Sequence, residues 1–147
     1  FKPFVAVYST FLQRSYDQIL EEMCLQNLPV VLCLDRAGVV GEDGPTHHGI
    51  FDMAYLRPLP NLTVMAAADK EDLEAMLEFA SSAVYPVSIR YPRGQANFRP
   101  QGVPLLPVRI GKSELLKEGA DVAIISIGSM VHPALEAARR GPDNHRH

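Results

Sequence analysis

Titratable side chains are concentrated in one glycine-rich stretch, residues 35–49. The stretch follows Pro29 to Leu34, an apolar run whose length and β-branched content predict a fully buried strand. In open α/β sheets, ligands bind beyond the carboxyl ends of such strands. Carboxylates and histidines here could perform acid–base chemistry on a ligand; the charged and titratable residues are Asp35, Arg36, Glu42, Asp43, His47 and His48. On composition alone, the alternative is a solvated surface loop.

Two arginines and two adjacent histidines bear on the kind of ligand that this region could bind. The arginines concern an anion, and the histidines concern a metal ion. Arg36 and Arg93 each come just after a predicted strand, so both can converge on one edge of a sheet, where guanidinium groups suit a phosphate. Arg90 lies inside the last strand, so it is less certain than Arg93 to reach that edge. His47 and His48 lack the spacing of a helical metal pair, and sequence neighbours rarely point at one ion. We therefore expect no metal site here.

Alternating strand and helix patterns predict an α/β fold with a mainly parallel sheet and helices on both faces. The predicted strands are Phe4 to Tyr8, Val30 to Leu34, Leu62 to Ala66 and Val87 to Tyr91. Apolar residues recur at helical spacing between them. The predicted helices are Gln13 to Gln26, Phe51 to Leu59 and, with Asp69 as N-cap, Lys70 to Ser82.

The second part of the chain predicts an incomplete second α/β domain. Residues 94–107 contain prolines and glycines without periodicity and predict a linker between residues 1–93 and 108–147. Val108 to Leu116 could form an edge hairpin, Asp121 to Ile127 is expected to be a strand, and Val131 to Arg140 a helix. Because little sequence remains to cover that strand, we expect residues from Gly94 onward to pack poorly and the last several to be disordered.

Composition places the chain among ordinary globular proteins and excludes several classes of partner. Its 147 residues are 47% hydrophobic and 21% charged, with a net charge of −3, which gives no reason to expect nucleic acid or an anionic membrane as partner. No apolar run approaches the roughly 20 residues of a membrane span. Cys24 and Cys33 are expected to be packed free thiols. The chain starts at Phe1 without a methionine, so we expect a segment of a longer protein.

Four motifs in matching order carry a resemblance to a known family. Gly-Glu-Asp-Gly-Pro-Thr-His at 41–47 resembles the signature of transketolase-type thiamine diphosphate enzymes. The other three narrow the resemblance to the 1-deoxy-D-xylulose-5-phosphate synthase family, over residues 2–138; they are Tyr-Ser-Thr-Phe-Leu-Gln-Arg at 8–14, Asp-Arg-Ala-Gly at 35–38 and Arg-Tyr-Pro-Arg-Gly at 90–94.

The resemblance implies a fold and an activity. Residues 1–93 would form a transketolase-like pyrimidine-binding domain, followed by the truncated start of the C-terminal domain. The full enzyme would condense pyruvate with glyceraldehyde 3-phosphate and release CO₂, for isoprenoid, thiamine and pyridoxal synthesis. It would use thiamine diphosphate and Mg²⁺ and form a homodimer. A cytoplasmic location is implied, or the plastid stroma for a plant protein.

The resemblance also implies roles for single residues. Phe11 would stack on the aminopyrimidine ring of the cofactor, although without the resemblance it would be an ordinary core phenylalanine. His47 and Asp43 would line the substrate side of the cofactor as catalytic residues. Arg14 would contact substrate or pair with Asp17 or Asp35. The phosphate of glyceraldehyde 3-phosphate would be held by Tyr8, Arg36 and Arg93. Since every motif follows a predicted strand, these residues should surround one crevice.

Two parts of the family's active site have no counterpart in the sequence. The glutamate that activates the cofactor lies upstream of the strand that begins at Phe4, and the Gly-Asp-Gly motif that binds Mg²⁺ and the diphosphate belongs to a preceding domain. We therefore expect this chain to form one wall of a site and to be inactive alone. The alternatives are a non-catalytic phosphate-binding or assembly module, transketolase proper, or a 2-oxoacid dehydrogenase subunit.

Overall fold

A computed structural model describes residues 1–140 and contains one four-stranded parallel sheet. The strands lie in the order β1-β2-β4-β3 and every neighbouring pair is parallel. This confirms the predicted mainly parallel α/β sheet. Each strand lies within one residue of its predicted bounds at either end; the strands are β1 (Phe4–Tyr8), β2 (Val31–Asp35), β3 (Thr63–Ala66) and β4 (Val87–Arg90).

Helices connect the strands, and a further α-helix comes after β4 in the chain. Short 3-10 helices also occur at Gln13–Ser15, Gly41–Asp43, Pro45–His47 and Gly128–Met130, and a π-helix occurs at Ile19–Cys24. The α-helices within residues 1–140 are α1 (Ser9–Leu12), α2 (Tyr16–Gln18), α3 (Asp52–Leu56), α4 (Lys70–Ser82) and α5 (Val131–Arg139).

In place of the predicted helix from Gln13 to Gln26, the structure contains a longer and less regular helical segment. It begins at Ser9, directly after β1, and changes between α, 3-10 and π geometry before it ends at Cys24. Asn27 stops it in the left-handed conformation (φ 53°), while the Leu28 N–H donates to the Met23 carbonyl oxygen, as in a Schellman C-cap.

The sheet is covered on both faces, as predicted, because β2 sends alternate side chains into two separate cores. Leu32 and Leu34 pack with residues of the helical segment and α3, including Leu12, Ile19 and Leu56. Val31 and Cys33 face the other core; its further members include Met65, Ala80, Val87 and Ile89. The two cysteines are free and buried in different cores, which confirms the expected packed thiols.

Helix α4 has the predicted bounds and the predicted cap. The Asp69 carboxylate accepts the N–H of Asp72 over 2.8 Å, and the Asp72 carboxylate accepts the N–H of Ala68 over 2.9 Å. This reciprocal arrangement satisfies backbone donors that the first turn leaves unpaired. The cap fixes where α4 starts relative to the end of β3.

An apolar run such as Phe4–Tyr8 favours a buried strand, but the first half of β1 is exposed. Phe4 and Val5 are exposed, and β1 is an edge strand that pairs only with β2 among the described residues. An apolar run of this composition is typical of a central strand, so its burial could not be derived from composition alone.

Beyond β4, the described chain forms little regular structure. Residues 121–127 form no strand and 108–116 form no hairpin, so both expectations are wrong; a strand needs a neighbour for its backbone hydrogen bonds, and none is formed here. Ile125 is 97% exposed. Helix α5 forms as predicted and ends one residue early. The expected disorder of the last residues concerns 141–147, outside the described residues.

Polar contacts of Arg99 join the chain that follows β4 to the start of α4. The Arg99 guanidinium lies 3.6 Å from Asp69 and also pairs with Glu114, while the Arg99 N–H donates to Glu71 over 3.0 Å. The division into 1–93, 94–107 and 108–147 stays a prediction. No helix within residues 1–140 is long and apolar enough to cross a membrane.

Candidate active site

The register of the sheet brings three of the four motifs to one edge. Tyr8 ends β1 opposite Asp35, which ends β2, and Leu34 lies opposite Arg90, which ends β4. Because parallel strands all present their carboxyl ends on the same side, the residues that follow them meet there. The fourth motif, residues 41–47, lies in the loop that leaves β2.

Arg36 takes up a left-handed backbone conformation as the chain leaves β2. Its φ is +55°, which costs a non-glycine residue on the order of 1 kcal/mol. Asp35 offsets this cost, since one of its carboxylate oxygens accepts the Arg36 N–H over 2.7 Å and the other accepts from Arg36 Nη1 over 2.8 Å. The conformation turns the guanidinium back over the sheet edge, where it meets the Tyr8 ring, with Cζ 4.0 Å from the ring centroid.

Asp43 joins the two arginines that sequence analysis assigned to a phosphate. Arg36 Nε donates to Asp43 Oδ2 over 2.8 Å, and Arg93 Nη1 donates to Asp43 Oδ1 over 2.5 Å. The hydrogen bond from Arg36 lowers the pKa of Asp43, and the charge of Arg93 adds to this. The same hydrogen bond raises the pKa of Arg36. Asp43 and Arg36 are therefore charged at neutral pH.

Donors remain on both guanidinium groups after these contacts are counted. A guanidinium carries five N–H donors; Arg36 uses Nε and Nη1 for carboxylates, and Arg93 uses Nη1. The Arg93 side chain is 43% exposed, against 22% for Arg36. Two guanidinium groups held about one carboxylate can thus present further N–H groups to an incoming phosphate oxygen.

An exposed aromatic cluster lies beside the arginines. The Tyr8 and Phe11 rings are stacked, with centroids 5.4 Å apart and planes 11° from parallel. The His47 ring meets both edge-on, at 5.3 Å from Phe11 and 6.5 Å from Tyr8. Phe11 is 40% exposed, so the alternative of a core phenylalanine is wrong, and its ring can accept a further flat group from solvent.

Two threonines that sequence analysis missed fix this part of the loop. The Thr10 hydroxyl donates to the Thr46 carbonyl oxygen over 3.2 Å, and the Thr46 hydroxyl shares a hydrogen bond of 3.0 Å with His47 Nδ1. These contacts tie the 41–47 motif to α1. Threonine is common in loops, so only the position of Thr46 within the motif could have indicated this role.

The remaining candidate residues lie apart from this centre. His48 Nδ1 accepts the Val40 N–H over 3.2 Å, a contact within the loop. Arg14 is exposed in the 3-10 helix Gln13–Ser15, and Asp35, one of its candidate partners, pairs with Arg36 instead. A substrate role for Arg14 stays a prediction. Within residues 1–140, no group of three or more His, Cys, Asp or Glu side chains is arranged to hold a metal ion.

Arg90 and Arg93 take different positions although they share a motif. Arg90 Nε donates to Asp52 at the start of α3 over 2.8 Å, and the Asp52 side chain is only 1% exposed. Arg93 faces the loop and reaches Asp43. The contact that sequence analysis left open between these two arginines is therefore better suited to Arg93.

The loop closes on itself at a narrow neck. Gly38 and Gly49 exchange two backbone hydrogen bonds of 2.7 and 2.9 Å. A Cβ on Gly49 would lie 2.4 Å from the Ser9 hydroxyl oxygen and 2.8 Å from the Arg36 carbonyl oxygen, so only glycine fits there. We call residues 37–52, which contain this neck, the site loop.

Comparison with known proteins agrees with this architecture. The family described as "Transketolase, pyrimidine binding domain" matches residues 1–98. The chain belongs to this family. The match covers all four strands of the sheet, the site loop and both arginines beside Asp43.

Two bacterial relatives with more than half of their aligned residues identical to this chain are 1-deoxy-D-xylulose-5-phosphate synthases. The chain is 56% identical over 140 residues to 1-deoxy-D-xylulose-5-phosphate synthase of Nitratidesulfovibrio vulgaris (strain DP4), covering 95% of this chain and 22% of that protein. It is 58% identical over 139 residues to 1-deoxy-D-xylulose-5-phosphate synthase 1 of Geobacter sulfurreducens, with the same coverage. The chain therefore spans about a fifth of the length of these relatives.

Solved transketolases share the fold. A split-gene transketolase, described as an inactive β4 tetramer, superposes with a TM-score of 0.79 at 32% identity, over 94% of this chain and 44% of that chain. Transketolase from Leishmania mexicana superposes with a TM-score of 0.55 at 27% identity, over 60% of this chain and 13% of that one. The sheet and site loop thus belong to a transketolase-like pyrimidine-binding domain.

Proposed function

We propose that this chain forms the pyrimidine and aldehyde-phosphate wall of the active site of a 1-deoxy-D-xylulose-5-phosphate synthase. The reaction is the condensation of pyruvate with glyceraldehyde 3-phosphate, with release of CO₂. The observation that carries the proposal is the pair Arg36 and Arg93, held about one carboxylate beside an exposed aromatic cluster. The identity of more than half to synthases of this name supports it.

The arginines bind the phosphate of the aldehyde. Arg36 and Arg93 supply charge-assisted hydrogen bonds to its oxygens. Tyr8 packs beneath Arg36 and limits the directions in which the guanidinium can point. Asp43 keeps the two cations within reach of one anion, and without a carboxylate between them they would repel each other.

His47 lies where it can act on the aldehyde end of the substrate. With Nδ1 engaged by Thr46, its other ring nitrogen can donate to, or exchange a proton with, a carbonyl or hydroxyl oxygen. Such a donor stabilises negative charge that develops on that oxygen. Asp43 can hold a neighbouring hydroxyl group.

The residues present fit one part of thiamine diphosphate. Phe11 offers an exposed ring, backed on one side by Tyr8, against which an aminopyrimidine can stack. When bound, the cofactor supplies the electron sink for decarboxylation and carbon–carbon bond formation. The contribution of this chain is to orient the ring and to cover it from water.

The donor set of the described residues does not fit Mg²⁺. Hard divalent cations are held by convergent oxygen ligands, and residues 1–140 contain no cluster of three or more candidate ligating side chains. We propose that Mg²⁺ and the diphosphate are held by another part of the full enzyme. We further propose that the full enzyme is a homodimer located in the cytoplasm.

Calorimetric titration of glyceraldehyde 3-phosphate into the 147-residue chain tests the proposal. Two charge-assisted contacts worth roughly 1.5–3 kcal/mol each correspond to a dissociation constant on the order of 1 mM. The double variant Arg36→Ala, Arg93→Ala should show no measurable binding. The control is Arg57→Ala, which removes an exposed arginine outside the site and should bind like wild type. Equal titrations for wild type and the double variant would remove the arginines from the site.

A second assay concerns turnover by the isolated chain. Because its sequence contains neither the cofactor-activating glutamate motif nor the Gly-Asp-Gly motif, we expect no pyruvate-dependent CO₂ release when thiamine diphosphate and Mg²⁺ are supplied. The inactive tetramer of the split-gene transketolase supports this expectation. CO₂ release above background would contradict the proposal that this chain supplies only one wall of the active site.

A further inference from the structure

The two ends of the site loop are attached to consecutive residues at the end of β4. At the first end, the Ala37 N–H donates to the Tyr91 carbonyl oxygen over 3.0 Å. At the second end, Asp52 Oδ2 accepts a hydrogen bond from Arg90 Nε over 2.8 Å. The loop thus leaves the edge of the sheet beside β4 and returns to it beside the same strand.

The second attachment is a nearly buried ion pair. Asp52 is 1% exposed and Arg90 is 18% exposed. The other oxygen of Asp52 accepts the Met53 N–H over 2.9 Å, so both oxygens are paired. A buried carboxylate without its cation is strongly unfavourable. Asp52 is both the last residue of the site loop and the first residue of α3. Because any shift of α3 along the sheet edge would break the ion pair, the pair favours one position for this end of the loop.

We propose that Arg90 and Asp52 are positioning residues whose ion pair sets the place of the site loop over the sheet edge. In that place the Asp43 carboxylate lies between the two site arginines and the His47 ring meets the aromatic cluster. Within residues 1–140, the side-chain hydrogen bonds of Arg90 and Asp52 join them to each other and to the Met53 N–H, not to these groups. The proposal rests on the proposed function only where ligand affinity is concerned; loop position can be measured without a ligand.

The chemical shifts of the His47 ring protons report loop position in the native state. The ring lies within 5.3 Å of Phe11 and 6.5 Å of Tyr8, so ring currents displace its signals from their unstructured values. In the 147-residue chain, Arg90→Met should abolish most of this displacement, while amide signals of α4 stay in place. A contribution to global stability alone would leave native-state shifts unchanged.

Two further variants separate positioning from stability. The double variant Arg90→Met, Asp52→Asn removes both charges, so it should regain stability relative to Arg90→Met but not the His47 displacement. Arg90→Lys keeps a cation and should restore part of the displacement. These two variants also keep the proposal testable if Arg90→Met does not fold. The control Lys70→Met breaks the exposed Lys70–Glu74 pair and should change neither property.

Ligand affinity provides an independent test of the proposal. In the double variant Arg90→Met, Asp52→Asn, the displaced loop should weaken the binding of glyceraldehyde 3-phosphate about tenfold, since small misplacements in a site are costly. If wild type does not bind this compound, the proposed function fails, while the His47 signals still decide the positioning role. Unchanged His47 shifts in folded Arg90→Met, or their full recovery in the double variant, would overturn the inference.

Discussion

At the scale of single residues, the site depends on one carboxylate shared by two arginines. Asp43 accepts hydrogen bonds from Arg36 and Arg93, and Arg36 holds a strained backbone conformation beside it. The sequence motifs predict that all three residues lie at one crevice, but nothing in the sequence indicates their mutual contacts. Those contacts depend on the left-handed turn at Arg36, which no residue preference indicates, because arginine rarely adopts it.

The shared carboxylate predicts a pH dependence of stability. Because folding lowers the pKa of Asp43, its charged form stabilises the folded state above the unfolded-state pKa of about 4. This contribution is lost as the pH falls through the lower folded-state value. Urea unfolding should therefore show that Asp43→Asn destabilises the chain at pH 7 and that the difference from wild type shrinks below about pH 4.

The neighbouring Glu42 provides a matched control for this prediction. It is exposed in the same 3-10 turn, so Glu42→Gln should change stability little at either pH. A difference between wild type and Asp43→Asn that grew toward acid pH would contradict the assigned pairing.

At the scale of elements, local signals located most helices and strands, and tertiary context decided the rest. Helix α4 was predicted to the residue because its cap and its apolar face agree. The strand expected at 121–127 does not form, since a strand depends on neighbours that sequence periodicity cannot supply. Arg90 could not be separated from Arg93 by sequence, because its partner Asp52 lies 38 residues away.

The cap of α4 can be tested on its own. Asp69→Ala removes the acceptor for the Asp72 N–H and should lower the free energy of unfolding by about 1 kcal/mol. Asp69→Asn keeps a capping oxygen and should retain most of this stability. Asp17→Ala, at an exposed helical position where no cap hydrogen bond is formed, is the control in urea unfolding. Equal losses for Asp69→Ala and Asp69→Asn would assign the effect to the contacts of Asp69 with Arg99 and His132 instead.

At the scale of the whole molecule, the chain combines a covered sheet with a loosely packed C-terminal part. The sheet has a core on each face, whereas apolar residues of the later part are exposed, among them Leu115, Val122, Ile124, Ile125 and Met130. The site lies entirely on the sheet and its loops. Ligand binding by the site arginines should therefore not depend on the later part.

Hydrogen exchange should separate the two parts. The Val31 amide is bonded within the chain and its side chain is buried, so its protection should approach that of global unfolding. The Ile124 amide lies outside any strand and should exchange much faster. Equal protection at the two positions would mean that residues 94–140 fold as firmly as the sheet.

The central claim is that the phosphate of an aldehyde binds to further N–H groups of Arg36 and Arg93, beside the carboxylate of Asp43 that both arginines contact. NMR spectra of the chain, titrated separately with D-glyceraldehyde 3-phosphate and with glyceraldehyde, test it most directly. The phosphate compound should shift the Nε–H signals of both arginines and the ring signals of Tyr8, whereas glyceraldehyde should leave the arginine signals in place. Equal responses to both compounds, or shifts centred on Arg99 instead, would contradict the claim.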